Sequence, residues 1–291
     1  MKSGKRRTAE DVTEGIDLTG KTALITGVNS GIGQETLRVL SMRGAHVIGT
    51  GRTLAKAEDG CALATGAATA LECELSDLDS VRRCAEKIRN SSKSLDIIVA
   101  NAGIMTPAKL EQANGIELQF ATNHLGHFLL LTSLMELLAT GCRVVIVASE
   151  AHRATPPGGI DFENLSGENG YRALRAYGQS KLANILFANC LSRRLAGRGM
   201  ANSLHPGLVR TNMGRHINPF VTWGLALFML PVAKTIQQGA ATSCLLAASP
   251  AVEGITGKYF SDCQEKTPSA FAMDDALGER LWSESQALVS R

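Results

Sequence analysis

The stretch Thr22-Ala23-Leu24-Ile25-Thr26-Gly27-Val28-Asn29-Ser30-Gly31-Ile32-Gly33 decides the fold. Its first five residues make a short apolar run of strand length, and three glycines follow before helical spacing takes over at 31–43. Such glycines let the backbone turn sharply and approach a pyrophosphate, while the amides at the helix start offer an anion site. The spacing is Gly-x-x-x-Gly-x-Gly rather than Gly-x-Gly-x-x-Gly, and the turn alone also suits a tight connection with no ligand.

Working outward, the chain alternates apolar runs with amphipathic stretches. Strands are expected at 22–26, 46–50, 68–73, 97–100, 143–148 and 200–204, and helices near 31–43, 77–90, 116–139 and 177–197. This order predicts an α/β fold with a parallel sheet covered on both faces. Later the alternation loosens: an irregular stretch and an apolar run at 220–233 precede a helix at 237–248 and a short strand near 258–260. An insertion there is where an α/β enzyme builds a lid over its ligand. With no repeat and no Pro/Ser-rich linker, 291 residues at 44% hydrophobic form one domain.

Composition excludes several classes. The net charge of +3 is too small for a nucleic-acid protein, and the one tight basic cluster, Lys2, Lys5, Arg6 and Arg7, reads as a solvated tail. Aromatics, at 4%, are too scarce for a base-stacking platform. Seven cysteines form an odd set without a Cys-x-x-Cys pair, so they are expected to be reduced thiols in a cytoplasmic compartment, with no zinc site. The basic N-terminus is followed by Glu10, Asp11 and Glu14, unlike a signal or anchor. The run at 220–233 is too short for a transmembrane segment, although it could lie on a membrane surface.

Individual residues narrow the chemistry. Strand two ends Gly49-Thr50-Gly51-Arg52, where an acid would hydrogen-bond the adenosine ribose of NAD. Gly51 leaves room and Arg52 offers a fork of donors for a 2′-phosphate, so NADP is preferred over NAD, unless Arg52 is simply exposed. Tyr177 and Lys181 are four apart on one helix face, which suits a phenol serving as general acid/base beside an ammonium, or an ordinary helix pair. Ser149 ends a buried strand, where it can polarise a carbonyl or merely cap a turn. Asn123 lies in mid-helix, a place that asks for a buried polar role or a kink. His124 and His127 beside it lack the carboxylate or Cys that would complete a metal site and read as ordinary polar positions.

Together these residues resemble the short-chain dehydrogenase/reductase family over residues 18–260. The turn at 26–33, Asn101-Ala102-Gly103, Asn123, Ser149, Tyr177-x-x-x-Lys181 and Pro206-Gly207 follow the family's order and spacing. Asn123-His124-Leu125-Gly126-His127-Phe128, Ala176-Tyr177-Gly178-Gln179-Ser180-Lys181-Leu182-Ala183-Asn184, His205-Pro206-Gly207-Leu208-Val209-Arg210-Thr211-Asn212 and Gly257-Lys258-Tyr259-Phe260-Ser261-Asp262-Cys263 look like the retinol dehydrogenase and WW-domain oxidoreductase branch.

The resemblance implies a single-domain Rossmann-type, doubly wound parallel sheet over 18–265, with a polar extension at 1–17, a C-terminal substrate-lid insertion at about 207–235 and a helical tail at 266–291. It implies an NADP(H)-dependent oxidoreductase, with NAD(H) second, interconverting a carbonyl and an alcohol on a hydrophobic small molecule. Tyr177 would exchange the proton, Lys181 lower its pKa and hold the nicotinamide ribose, Ser149 orient the carbonyl, and Asn123 support a water-linked proton path. Gly27, Asn29, Ser30, Gly31, Ile32 and Gly33 would carry the pyrophosphate turn, and Asn101, Ala102 and Gly103 would pass the ribose. Glu74, where the family has Asp, and Leu75 would border adenine; Pro206, Gly207, Val209 and Thr211 would border the carboxamide. Two alternatives are reduction of a carbon–carbon double bond, as in protochlorophyllide reductases, and a weakly catalytic NADP-binding regulator. The helices at 116–139 and 177–197 are apolar on more than one face, which leaves room for a homo-oligomer.

Overall fold

Strands buried on both faces need apolar residues at successive positions, and the alternation of the two faces is visible in the core. Leu24, Ile98, Val144 and Ile146 pack to one side of the sheet, and Ile25, Val99, Val145 and Val147 to the other. The computed structural model describes residues 7–105, 109–209 and 233–290. Its strands are β1 (Thr22–Thr26), β2 (His46–Gly51), β3 (Ala68–Glu72), β4 (Leu95–Ala100), β5 (Leu138–Val147), β6 (Gly199–His205), β7 (Tyr259–Ser261) and β8 (Gln264–Lys266). They form one sheet in the order β8-β7-β6-β5-β4-β1-β2-β3, parallel except for the β7–β8 pair. This is the expected single-domain, doubly wound Rossmann-type fold. The order reverses between β1 and β4, and a ligand crevice belongs at the carboxyl ends of strands at such a switch point.

One face is covered by α1 (Ala9–Val12), α2 (Gly31–Met42) and α8 (Ile236–Ala248); the other by α4 (Leu78–Ser91), α6 (Gly126–Ser133), α7 (Ala173–Leu195) and α9 (Asp275–Val289). Between β2 and β3 lies α3 (Leu54–Cys61), which the apolar spacing did not predict because it buries only Ala57 and Gly60. The helix expected at 116–139 is subdivided. A small hairpin (Gln112–Ala113 with Ile116–Glu117) leads into α5 (Leu118–Phe120), a π turn (Ala121–Leu125) and α6, and β5 already begins at Leu138. In so Leu-rich a run, helix and strand spacing look alike. Within the expected N-terminal extension, Thr8 and Asp11 form a capping box and α1 buries Ala9 and Val12. Most of the expected lid, with Thr211 and nearly all of the 220–233 run, lies outside the described residues. Its two described ends are joined by a parallel bridge between Val209 and Lys234.

Candidate active site

The glycine turn after β1 is braced from behind. Gly27 has φ +72°, and a Cβ on Gly33 would stand 2.3 Å from Asn101 Nδ2 and 2.4 Å from the Gly27 carbonyl oxygen, so neither position takes a side chain. Asn101 Nδ2 donates to the Thr26 carbonyl at 2.9 Å, so this side chain ties β4 to the turn. Ser30 stands at the N-cap of α2 with extended backbone and no side-chain capping bond, and no acid occupies the first turn. The helix therefore opens with amide donors that its own side chains leave to an anion, which fits a dinucleotide pyrophosphate. Thr26 Oγ1 accepts the amides of Asn101 and Ala102 at 2.9 and 3.0 Å. His127 Nε2 lies 2.8 Å from the same oxygen, and its Nδ1 is 3.0 Å from the Asn123 carbonyl. A carbonyl only accepts, so Nδ1 carries the proton and Nε2 accepts from the Thr26 hydroxyl.

At the adenosine edge, Arg52 Nε is 3.1 Å from Glu74 Oε2, and Glu74 Oε1 accepts the Ser76 amide and hydroxyl at 3.1 and 2.8 Å. The Glu74 carboxylate thus orients Arg52 and its own loop. Gly51 serves a close approach more than spare room, since a Cβ there would stand 2.7 Å from the Ala57 backbone nitrogen of α3. Leu75 is buried in the same loop.

The reaction centre is assembled by β5, α7 and the π turn. Ser149 leaves β5 and caps the short turn Glu150–Arg153, its Oγ accepting the Ala151 amide at 3.2 Å, and it hydrogen-bonds Tyr177. The capping reading of Ser149 is therefore seen directly. One turn along α7, Lys181 is buried with Nζ 5.7 Å from the Tyr177 ring centroid. Lys181 Nζ and Asn184 Nδ2 each donate to the Val147 carbonyl at 3.1 Å. Asn123 is fully buried in the π turn, a helix widening frequent at functional sites. Its Oδ1 accepts the Ile104 amide at 2.8 Å, and its Nδ2 donates to the Ile104 carbonyl and Ser180 Oγ, each at 3.0 Å. A Cβ on Gly103 would lie 3.1 Å from Asn123 Oδ1 and 3.4 Å from Lys181 Nζ, so the loop after β4 borders both.

Burial sets the electrostatics of the centre. Burial pushes the Tyr177 phenol above its ordinary range, and the Ser149 hydrogen bond pulls it only part of the way back. Burial also drives the Lys181 ammonium down to about 8. On the far side, Pro206 and Gly207 follow β6. The Pro206 carbonyl accepts from Lys234 Nζ at 3.1 Å, and that nitrogen is 2.6 Å from Asp262 Oδ1. Val209 and Ile32 side chains both border Gly239 of α8, which brings the turn after β6 beside the start of α2. Sequence reasoning passed over Thr26, Ser180, Asn184 and Lys234; the only available signal was that Ser180 and Asn184 flank Lys181 on its helix.

This geometry, a glycine turn at the sheet switch point facing a Ser-Tyr-Lys set, defines a nucleotide-dependent oxidoreductase class. The short chain dehydrogenase family model matches residues 21–221, and the chain belongs to the short-chain dehydrogenase/reductase family, in the retinol dehydrogenase and WW-domain oxidoreductase branch. It is 42% identical to short-chain dehydrogenase TIC 32 B, chloroplastic, of Brassica napus, over 98% of this chain and 94% of that protein. Retinol dehydrogenase 14 of Homo sapiens is 39% identical over 93% of this chain and 86% of its own length. Among solved structures, a Pseudomonas aeruginosa RhlG/NADP active-site complex superposes with a TM-score of 0.68 at 28% identity, covering 88% of this chain and 98% of that one. Members of the family bind a nicotinamide cofactor. No helix among the described residues is long and apolar enough to cross a membrane.

Proposed function

We propose that this chain uses NADP(H) to interconvert a carbonyl and an alcohol on a hydrophobic small molecule. The observation that carries the reading is the Tyr177 hydroxyl held on Ser149 with the Lys181 ammonium buried beneath the same ring. A bound nicotinamide supplies or accepts the hydride. Ser149 then holds the substrate oxygen beside Tyr177, and Tyr177 transfers the proton. In the reducing direction Tyr177 donates its proton to the substrate oxygen, and in the oxidising direction it receives one.

The preference for NADP rests on Arg52 and its orientation by Glu74, with position 51 closed to an acidic side chain by α3. The fork of a guanidinium matches a 2′-phosphate. Of the relatives, the RhlG structure is titled as an NADP complex. Seven free thiols suit a reducing compartment, the cytosol in this reading.

The test is a panel of apolar aldehydes and ketones offered with NADPH and NADH side by side. NADPH-driven alcohol formation is expected, and Tyr177→Phe should abolish it while leaving NADPH binding intact. Wild-type turnover in Tyr177→Phe would overturn the proton assignment, and a preference for NADH would overturn the role of Arg52.

A further inference from the structure

The turn that carries Ser149 is gripped from two sides. On one side is α7, where Gly178 follows Tyr177; a Cβ there would stand 2.2 Å from the Ala154 carbonyl oxygen and 2.6 Å from that of Ala151. On the other side is the segment after β8. His152, in the turn, is fully buried, with Nδ1 2.7 Å from the Ser149 carbonyl oxygen and Nε2 3.0 Å from the Ser269 amide. The amide can only donate, so Nε2 is the acceptor and the proton sits on Nδ1, from which it is donated to Ser149. The tautomer is therefore fixed by two groups, the Ser149 carbonyl in the turn and the Ser269 amide 117 positions away in the chain. Around the ring, Tyr259 of β7 makes an edge contact at 5.2 Å between centroids and donates its hydroxyl to Glu150 at 2.8 Å. Arg153 binds Glu150 at 3.1 Å and the Thr267 carbonyl at 3.0 Å.

We propose that His152 is a positioning residue for the reaction: held as the Nδ1–H tautomer between the Ser149 carbonyl and the Ser269 amide, it ties the Ser149 backbone to the segment after β8 and so aims the Ser149 hydroxyl at Tyr177. The segment around Ser269 thereby becomes part of the catalytic apparatus. The inference rests on the reading that Ser149 and Tyr177 act on the substrate. The titratable and charged groups facing the ring are Glu150 and Arg153 on its own turn, Tyr259 from β7 and His205 from β6. Protonation of His152 sets an N–H on Nε2 against the Ser269 N–H, two donors face to face, so acid uncouples the clamp.

Two variants test this. His152→Phe keeps a buried ring against Tyr259 and removes both hydrogen bonds. Ser269→Pro removes the N–H and sets the ring Cδ against Nε2 in its place, so it breaks the clamp at this one contact: Ser269 already has φ −69°, which proline adopts, and its Oγ is buried without a partner, so losing the hydroxyl orphans nothing. The substrate is the panel carbonyl with the highest NADPH-dependent turnover. Misplacement of the order of an ångström can cost a hundredfold in rate, so kcat is expected to fall about 10- to 100-fold in His152→Phe and about three- to tenfold in Ser269→Pro. KM for NADPH should stay within about twofold, since neither variant touches the pyrophosphate turn. The acid-side fall in kcat of the wild type should vanish in His152→Phe, and 15N spectra of labelled histidine should show the Nε2 resonance moved by loss of its hydrogen bond in Ser269→Pro, with the proton still on Nδ1. Should His152→Phe fail to fold, Ser269→Pro decides. Wild-type kcat in Ser269→Pro overturns the inference, as does an Nε2–H tautomer in the wild type. The underlying catalytic reading fails on a different result, retained turnover in Tyr177→Phe.

Discussion

Lys181 shows how a single residue trades stability for chemistry. Its ammonium is 4% exposed, and among the described residues no carboxylate pairs with it, so desolvation lowers its pKa to about 8. The folded value lies below the unfolded value, so between about pH 8 and 10.5 the unfolded chain binds more protons and stability rises with pH. Below pH 8 the full penalty is present, on the order of 3 kcal/mol. Lys181→Met removes the buried charge at similar length, and the Val147 carbonyl keeps its bond from Asn184. Urea unfolding at pH 7 should show the variant more stable by about 1–3 kcal/mol, with the gap closing toward pH 10, while turnover is lost. A variant less stable than wild type at pH 7 would refute the assignment of Lys181 as a strained functional group.

At the scale of elements, the helix through α5, the π turn and α6 concentrates what the sequence could and could not convey. The strand-turn-helix at 22–33, the Tyr177–Lys181 spacing and Ser149 at a strand end were readable because each follows from local periodicity or position. The oddity of a mid-helix Asn123 was readable too, but its resolution was not: the π turn and the bonds to Ile104 and Ser180 depend on segments brought in from elsewhere. Likewise α3 hid because it barely contributes to the core, and β5 began early inside a Leu-rich run. The pairing of Arg52 with Glu74 joins two strand ends that nothing local connects. His124 and His127 are buried neutral in this element, with pKa values lowered to about 3 and about 4 by desolvation. Both folded values lie below the unfolded one, so the stability they leave intact above about pH 6.5 is lost progressively as pH falls toward 4. Each histidine should cost about 2 kcal/mol by pH 5, measurable as a fall in the urea midpoint between pH 7 and pH 5. A midpoint constant over that interval would show that both rings bind a proton without penalty.

For the whole molecule, the placement of α9 decides how the chain meets its surroundings. The apolar faces of 116–139 and 177–197, which left room for an oligomer, are covered in part by the chain's own C-terminal helix. Trp282 packs at 5.0 Å from the Phe128 ring and 5.7 Å from Phe187, with the Arg194 guanidinium 3.9 Å over its face. Ser285 Oγ is 2.8 Å from His124 Nε2, and Arg82 holds the Val289 carbonyl at 2.7 Å. Arg193 and Arg194 both bind Glu279, at 2.9 and 2.6 Å, but these exposed pairs fix orientation more than they add stability. The apolar seam is the main term, since removing an aromatic of this kind from a core costs about 3–5 kcal/mol. With the seam filled from within, the full chain should elute as a monomer in size-exclusion chromatography with light scattering. Deleting residues 275–291 should expose Phe128 and Phe187 and convert that monomer into dimers or larger aggregates. The segment around Ser269 precedes the cut, so the clamp on Ser149 survives in whatever fraction stays folded. A truncated chain that remains a monodisperse monomer would show that α9 covers no surface in need of a partner.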